Sequence, residues 1–297
     1  MEEFEDKVAV ITGAASGIGF GIAKRAVKEG MKVVIADIEA NALTKAERKL
    51  STLESNVLSV VTDVSKLKDV QKLAEKTVDT FGQVHLLFNN AGVAKRDVLW
   101  DFTLADWKWI ISVNLWGVIH GLVTFLPILR QQDMESRIVN TASIAGLTTY
   151  TLNGIYGPVK HAIVAISETL NHELRVVNSK IKVSVLCPGA VLTNLGTSER
   201  NRPDELKNPE SEILDYKSRI QKFLERNPEF KTITTEFGKE TMQRGISGEK
   251  AGDIVFEAIK DDAFYILTDT DEWLETLIRD RMNNILNSFE QNRKYNQ

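Results

Sequence analysis

Val8-Ala9-Val10-Ile11-Thr12-Gly13-Ala14-Ala15-Ser16-Gly17-Ile18-Gly19 decides the architecture of this 297-residue chain. The continuous apolar run from Val8 reads as a strand covered on both faces. It breaks after Thr12 into a loop with glycines at 13, 17 and 19, and helical spacing takes over across Ile18–Lys28. Glycines let a backbone approach a pyrophosphate closely, and a helix N-terminus offers free N–H groups and the positive end of its dipole. Glycine triplets are common in ordinary turns; the strand–loop–helix setting gives this Gly-x-x-x-Gly-x-Gly its meaning. Gly13, Ser16, Gly17, Ile18 and Gly19 are therefore predicted to hold a dinucleotide.

The same rhythm continues outward. Short runs rich in Val and Ile recur at Val33–Asp37, Val57–Val61, Val84–Phe88, Arg137–Thr141, Val183–Leu186 and Phe264–Leu267. Helical spacing fills Asn41–Leu53, Leu67–Phe81 and Ile163–Val177 between them. Such alternation predicts an α/β fold, a doubly wound parallel sheet of the Rossmann type, in a single domain spanning 1–297. Residues 194–247 break the rhythm: they are charged, with helical patches such as Glu212–Glu225 and no strand. So long a connection is read as a helical insertion near the substrate site, serving as a lid. The tail 271–297 has helical periodicity and is expected to pack on a neighbouring subunit.

Composition narrows the function classes. Hydrophobic residues make up 43%, enough for a large core, and the net charge of -4 with no basic run argues against a nucleic-acid partner. The one cysteine, Cys187, forms no internal disulfide and reads as core, so a reducing, cytoplasmic setting is expected. Met1–Asp6 is acidic and lacks the basic and apolar regions of a signal peptide. The stretch Ile110–Leu129 is apolar but holds Asn114, His120, two glycines and Pro127. It is read as a helix buried between the sheet and a partner subunit, not in a membrane. His85, His120, His161 and His172 are scattered, so no metal site is expected. Of the clustered Trp100, Trp107, Trp109 and Trp116, most read as core or interface, with Trp100 the candidate to reach a pocket.

Asp37 closes the second strand, 18 residues after Gly19. A carboxylate there can accept both hydroxyls of an adenosine ribose and repel a 2′-phosphate, and it can also cap the helix beginning near Glu39. A basic side chain at position 16 or just after Asp37 would suit NADP. Ser16 and Ile38 carry no charge, so NAD is expected.

With these motifs in view, the sequence resembles the short-chain dehydrogenase/reductase family over most of its length. Thr12-Gly13-x-x-x-Gly17-Ile18-Gly19 matches that family's cofactor loop, Asp63-Val64 the pair bordering the adenine, and Asn89-Asn90-Ala91-Gly92 the motif ending the fourth strand. Asn114, Ser143, Tyr156 and Lys160 match its catalytic tetrad. Pro188-Gly189, with Val191 and Thr193, matches the segment holding the nicotinamide carboxamide. The resemblance implies that Lys160 also holds the nicotinamide ribose and that Asn114 orders a water leading protons from Lys160 to solvent. It further implies a homodimer or homotetramer built on Leu104–Arg130 and Tyr156–Val177. Two departures are the long insertion and Pro158, which is tolerated only if the helix begins close to Tyr156.

The residues themselves support the chemistry. Tyr and Lys four apart share one helical face. A free tyrosine titrates near 10, and a nearby ammonium or cationic nicotinamide favours the phenolate. Tyr156 is thus the expected acid/base in hydride transfer between a secondary alcohol and a ketone, with Ser143 positioning the reacting oxygen. Ile144, Ala145, Leu147, Tyr150 and Leu152, with Val93–Ala94, suggest an apolar pocket for a hydrophobic or cyclic substrate. An epimerase or dehydratase with bound NAD, or a dinucleotide-sensing protein, are the alternatives.

Overall fold

The computed structural model describes residues 1, 3–53, 56–209, 221 and 223–295. The predicted strands assemble as one parallel sheet of seven. They are β1 (Val8–Thr12), β2 (Lys32–Asp37), β3 (Val57–Val61), β4 (Leu86–Asn89), β5 (Ser136–Thr141), β6 (Ile181–Cys187) and, last in the chain, Tyr265–Leu267. The order is β3-β2-β1-β4-β5-β6 followed by Tyr265–Leu267 at the edge. β1 pairs with β2 on one side and β4 on the other, so the chain reverses its winding there and opens a crevice at the strands' carboxyl ends.

Side chains from both faces of the sheet are buried, which is why the strands read as unbroken apolar runs. Ala9, Ile11, Val33 and Ile35 pack beneath helix α1 (Gly17–Lys28), whereas Val8, Val10, Val34 and Leu87 pack on the opposite face with α3 (Leu67–Phe81). β4 begins two residues later than Val84 because Val84 leaves the ladder. Its N–H donates to Gln132 Oε1 at 3.0 Å, and its carbonyl accepts from Gln132 Nε2 at 2.7 Å.

The apolar stretch forms α4 (Leu104–Ile110), a π-helical turn over Ile111–Leu115, and α5 (Trp116–Gln132). Leu104–Gln132 is long and apolar enough to cross a membrane by length and composition. It packs Val118, Phe125 and Leu129 into the core while Trp116 and Val123 face outward. The helix carrying the Tyr/Lys pair, α6 (Tyr156–Val176), begins at Tyr156 itself. Pro158 therefore falls in its first turn, where a missing N–H costs no helical bond.

The insertion departs from its expected form in two ways. Val191–Leu192 and Ile246–Ser247 pair as short parallel strands, so the excursion leaves and rejoins the body at adjacent points, with a two-residue strand where none was predicted. Its first part, Asn194–Asn201 and Asp204–Leu206, is 3₁₀ helix, and a regular α-helix appears at Pro228–Arg244. Of the helical patch predicted at Glu212–Glu225, residues 212–220 and 222 lie outside the described residues. The tail forms one helix, Glu272–Arg293, of which Leu274 is buried and Leu286 and Phe289 are exposed.

Candidate active site

The cleft at the switch point is built first by the glycine loop. Gly13 has φ +66° and Gly17 φ +57°, a left-handed conformation that side chains rarely adopt. A Cβ at Gly13 would sit 2.7 Å from the Ala91 Cα, and one at Gly17 would press on Thr193 Cγ2 at 2.9 Å. Both walls of the cleft thus approach the loop too closely for anything but glycine. Thr12 ties this loop to the end of β4: its hydroxyl donates to the Phe88 carbonyl and accepts from the backbone N–H of Asn90 and Ala91. Asn90 Nδ2 returns a 2.9 Å bond to the Thr12 carbonyl.

Gly13, Ser16, Gly17, Ile18, Asp37, Asp63, Val64, Asn90, Ala91, Gly92, Ser143, Tyr156, Lys160, Pro188, Gly189, Val191 and Thr193 all line this one cleft. Two of the sequence-predicted residues stand behind its wall. Gly19 is buried on α1 against the Gly13 carbonyl oxygen. Asn114 is buried in the π-helical turn, where its Oδ1 accepts from Val93 N–H at 2.7 Å and its Nδ2 donates to the Val93 carbonyl at 2.8 Å.

At the β2 end, the Asp37 carboxylate accepts the Ala15 N–H on one oxygen and the Glu39 N–H on the other, both at 3.0 Å. Asp37 thus faces the cleft and also holds the entry to α2 (Ala40–Ser51). Burial pushes its carboxyl above the ordinary range, and these backbone donors pull it back.

At the other end, β5 delivers Ser143 and α6 delivers Tyr156 and Lys160. The Ser143 hydroxyl accepts from Ala145 N–H at 3.1 Å, donates to the Pro188 carbonyl at 3.5 Å, and favours the ionised form of the Tyr156 phenol. Lys160 is buried; its Nζ donates to the Thr141 carbonyl at 2.8 Å and lies 5.4 Å from the centre of the Tyr156 ring. Burial lowers Lys160 to about 8. In the protein's own field burial also outweighs every other influence on Tyr156, pushing it up to about 12, with Ser143 and Arg96 pulling it back. The lowering expected from the sequence is therefore not supplied by Lys160 here, because its ammonium is bonded to a backbone carbonyl and not to the phenol.

Several residues of the site gave no sequence signal. Thr141 and Ala142 line the cleft simply by ending β5. Asn194, Leu195, Ser198, Arg200 and Asn201 enter it from the insertion, whose fold no local pattern reveals. Ser198 is buried and exchanges two hydrogen bonds with the Ala94 backbone, at 2.9 and 3.0 Å. Arg202, also buried, donates to Asp106 at 2.7 Å, and Lys95 donates to the same Asp106 oxygen at 2.9 Å. Conversely, of the apolar residues expected around a substrate only Val93 lines the cleft: Ile144 and Ala145 turn into the core, Ala94, Leu147, Tyr150 and Leu152 lie outside its lining, and Trp100 is 72% exposed with its ring edge-on to Phe223. Cys187 is buried, as its sequence position suggests.

Comparison with known proteins identifies the family and the fold. The model of the short chain dehydrogenase family matches residues 7–204. The chain is 35% identical over 286 residues to the CLA biosynthesis dehydrogenase/reductase of Lactiplantibacillus plantarum, spanning 96% of this chain and 95% of that protein. It is 32% identical over 268 residues to a C alpha-dehydrogenase of a Sphingobium species, spanning 90% and 82% of the two chains. Among solved structures, a short chain dehydrogenase/reductase from Burkholderia phymatum in complex with NAD superposes with a TM-score of 0.85 at 37% identity, covering 97% of each chain.

Proposed function

The chain belongs to the short-chain dehydrogenase family, and from that premise we propose that it interconverts a secondary alcohol and a ketone with NAD, using Tyr156 as acid and base. As a member it is an oxidoreductase of nicotinamide dinucleotides acting on small molecules. The observation that carries the finer reading is the convergence of Ser143, Tyr156 and Lys160 on the cleft that the glycine loop opens.

The cleft suits a dinucleotide. Gly13 and Gly17 let the loop close against Ala91 and Thr193 at the head of α1, whose N-terminus supplies N–H donors for a phosphate group. Asp37 is placed for ribose hydroxyls, Asp63 and Val64 border the adenine end, and Asn90, Ala91 and Gly92 form the floor. Pro188, Gly189, Val191 and Thr193 face the nicotinamide end. A nicotinamide held there would supply the hydride chemistry and, when oxidised, a positive charge that favours the Tyr156 phenolate.

The chain's own groups manage the proton. Held near 12 by burial, the Tyr156 phenol keeps its proton and is ready to give it to a ketone oxygen. In the reverse direction the phenolate, favoured by a cationic nicotinamide, takes the alcohol proton, with Ser143 holding the reacting oxygen in line. Lys160 braces the turn that carries Tyr156 against the end of β5 through the Thr141 carbonyl. Asn114 acts as a positioning residue, fixing Val93 at the cleft wall.

Val93, Val113, Ala142 and Leu195 give the cleft an apolar lining, which supports a hydrophobic or cyclic substrate. Residues 194–247 are assigned as its lid, supported by the insertion residues that enter the cleft. The outward Trp116 and Val123 on α5 support a homodimer or homotetramer through α5 and α6. The test is reduced-nicotinamide formation from steroid, terpenoid, aromatic, aliphatic and sugar alcohols, each with NAD+ and NADP+. Turnover of hydrophobic carbinols with NAD+ is expected; tight NAD+ binding with no alcohol oxidised would overturn the reading.

A further inference from the structure

Arg200 brings a positive charge to the cleft that the sequence around Asp37 does not announce. Lys160 and Arg200 are the cationic side chains lining the cleft among the described residues, and Arg200 stands at the Asp37 end. A cation there is what a 2′-phosphorylated dinucleotide needs. The structure shows where its donors go. Nε and Nη2 donate to a single oxygen of Glu39, at 3.1 and 2.6 Å. Nη1 donates into its own turn, to the carbonyls of Asn194 and Thr197 and to the Thr197 hydroxyl, at 3.1, 2.9 and 3.0 Å. Asn201 adds a third bond to the same Glu39 oxygen at 2.9 Å.

We propose that Glu39 is a specificity-determining residue: it holds and neutralises Arg200 so that the cleft rejects a 2′-phosphate. The inference rests on the dinucleotide reading of the cleft. Glu39 follows Asp37 by two residues, so two carboxylates face the position where such a phosphate would lie. The Arg200 and Asn201 contacts depress the Glu39 carboxyl below the usual range, so the guard is ionised at neutral pH. Ser198 and Arg202, on either side of Arg200, fasten this turn to Ala94 and Asp106 and so keep it beside Glu39.

The guard is tested by calorimetric binding of 5′-AMP and of adenosine 2′,5′-bisphosphate to the whole chain. Wild type, Glu39→Gln, Glu39→Ala and Glu39→Gln/Arg200→Ala are compared. Wild type is expected to prefer 5′-AMP. Both single variants shift the preference toward the bisphosphate by about tenfold, roughly the effect of removing one nearby like charge, and the double variant loses that gain. If 5′-AMP binds but the ratio is unmoved in both single variants, the guard is refuted while the dinucleotide reading stands. If wild type binds neither nucleotide, the dinucleotide reading falls and takes this inference with it.

Discussion

Lys160, on the first turns of α6, donates a 2.8 Å hydrogen bond to the carbonyl of Thr141, the last residue of β5. That bond joins the helix carrying the acid/base tyrosine to the strand that delivers Ser143. It also buries an ammonium with one strong acceptor, and burial lowers its titration to about 8 from an ordinary 10.5.

This shift makes a pH-dependence prediction. Below about 8 Lys160 is charged both folded and unfolded, and its burial penalty is fully present. As pH rises from about 8 toward 10.5 the folded state gives up its proton first, the unfolded chain binds more protons, and this group's contribution to stability rises. Urea unfolding of wild type and Lys160→Met across that window is expected to show the difference shifting in favour of wild type. A pH-independent difference would place the ammonium outside the buried setting described here.

Asn114 offers a structural test distinct from catalysis. Asn114→Ala removes both bonds to Val93 and leaves the Val93 N–H and carbonyl without those partners, at a cost of about 2 kcal/mol. For a chain of this size the melting temperature is expected to fall by about 3 °C. An unchanged melting temperature would mean that the Val93 bonds contribute nothing net.

Asp106 is buried at the junction of the insertion and α4, accepting from Lys95, Arg202 and the Thr103 N–H. Its pKa is lowered: burial acts against the charge, but Lys95, Thr103 and Arg202 prevail. Its stabilisation is therefore present above the ordinary Asp range and lost as pH falls through the depressed folded value. Replacing Asp106 by Asn leaves Arg202 buried beside a neutral amide and is expected to cost about 3 kcal/mol, measured by denaturant unfolding. Wild type and variant should converge in stability as pH falls through the lowered Asp106 value.

Thr12→Val keeps the shape of the strand end but removes one hydroxyl that serves Phe88, Asn90 and Ala91. The expected outcome is a loss of about 2 kcal/mol and weaker 5′-AMP binding, read by calorimetry. Unaltered nucleotide affinity would show that the glycine loop keeps its place without Thr12.

The sheet and the glycine loop were legible in the sequence because two-face burial leaves unbroken Val/Ile runs, and because Gly13 and Gly17 need conformations that only glycine takes cheaply. Tyr156 and Lys160 were legible because one helical face joins residues four apart. Arg200 was not: it reaches Glu39 across 161 positions through an insertion with no periodic signal. The inward turn of Ile144 and Ala145 was hidden for a related reason, since hydrophobicity marks a core residue and a pocket residue alike. The lateness of β4 came from Gln132, a side chain competing with the ladder from 48 residues away.

The most direct test of the account is Tyr156→Phe assayed on whichever alcohol wild type oxidises, with NAD+ binding measured in parallel. The account expects NAD+ affinity within a few-fold of wild type and a kcat lowered by about 10²–10⁴-fold, the contribution of a positioned general acid/base. Turnover near the wild-type rate, with binding intact, would contradict the assignment of Tyr156 as the group that moves the proton.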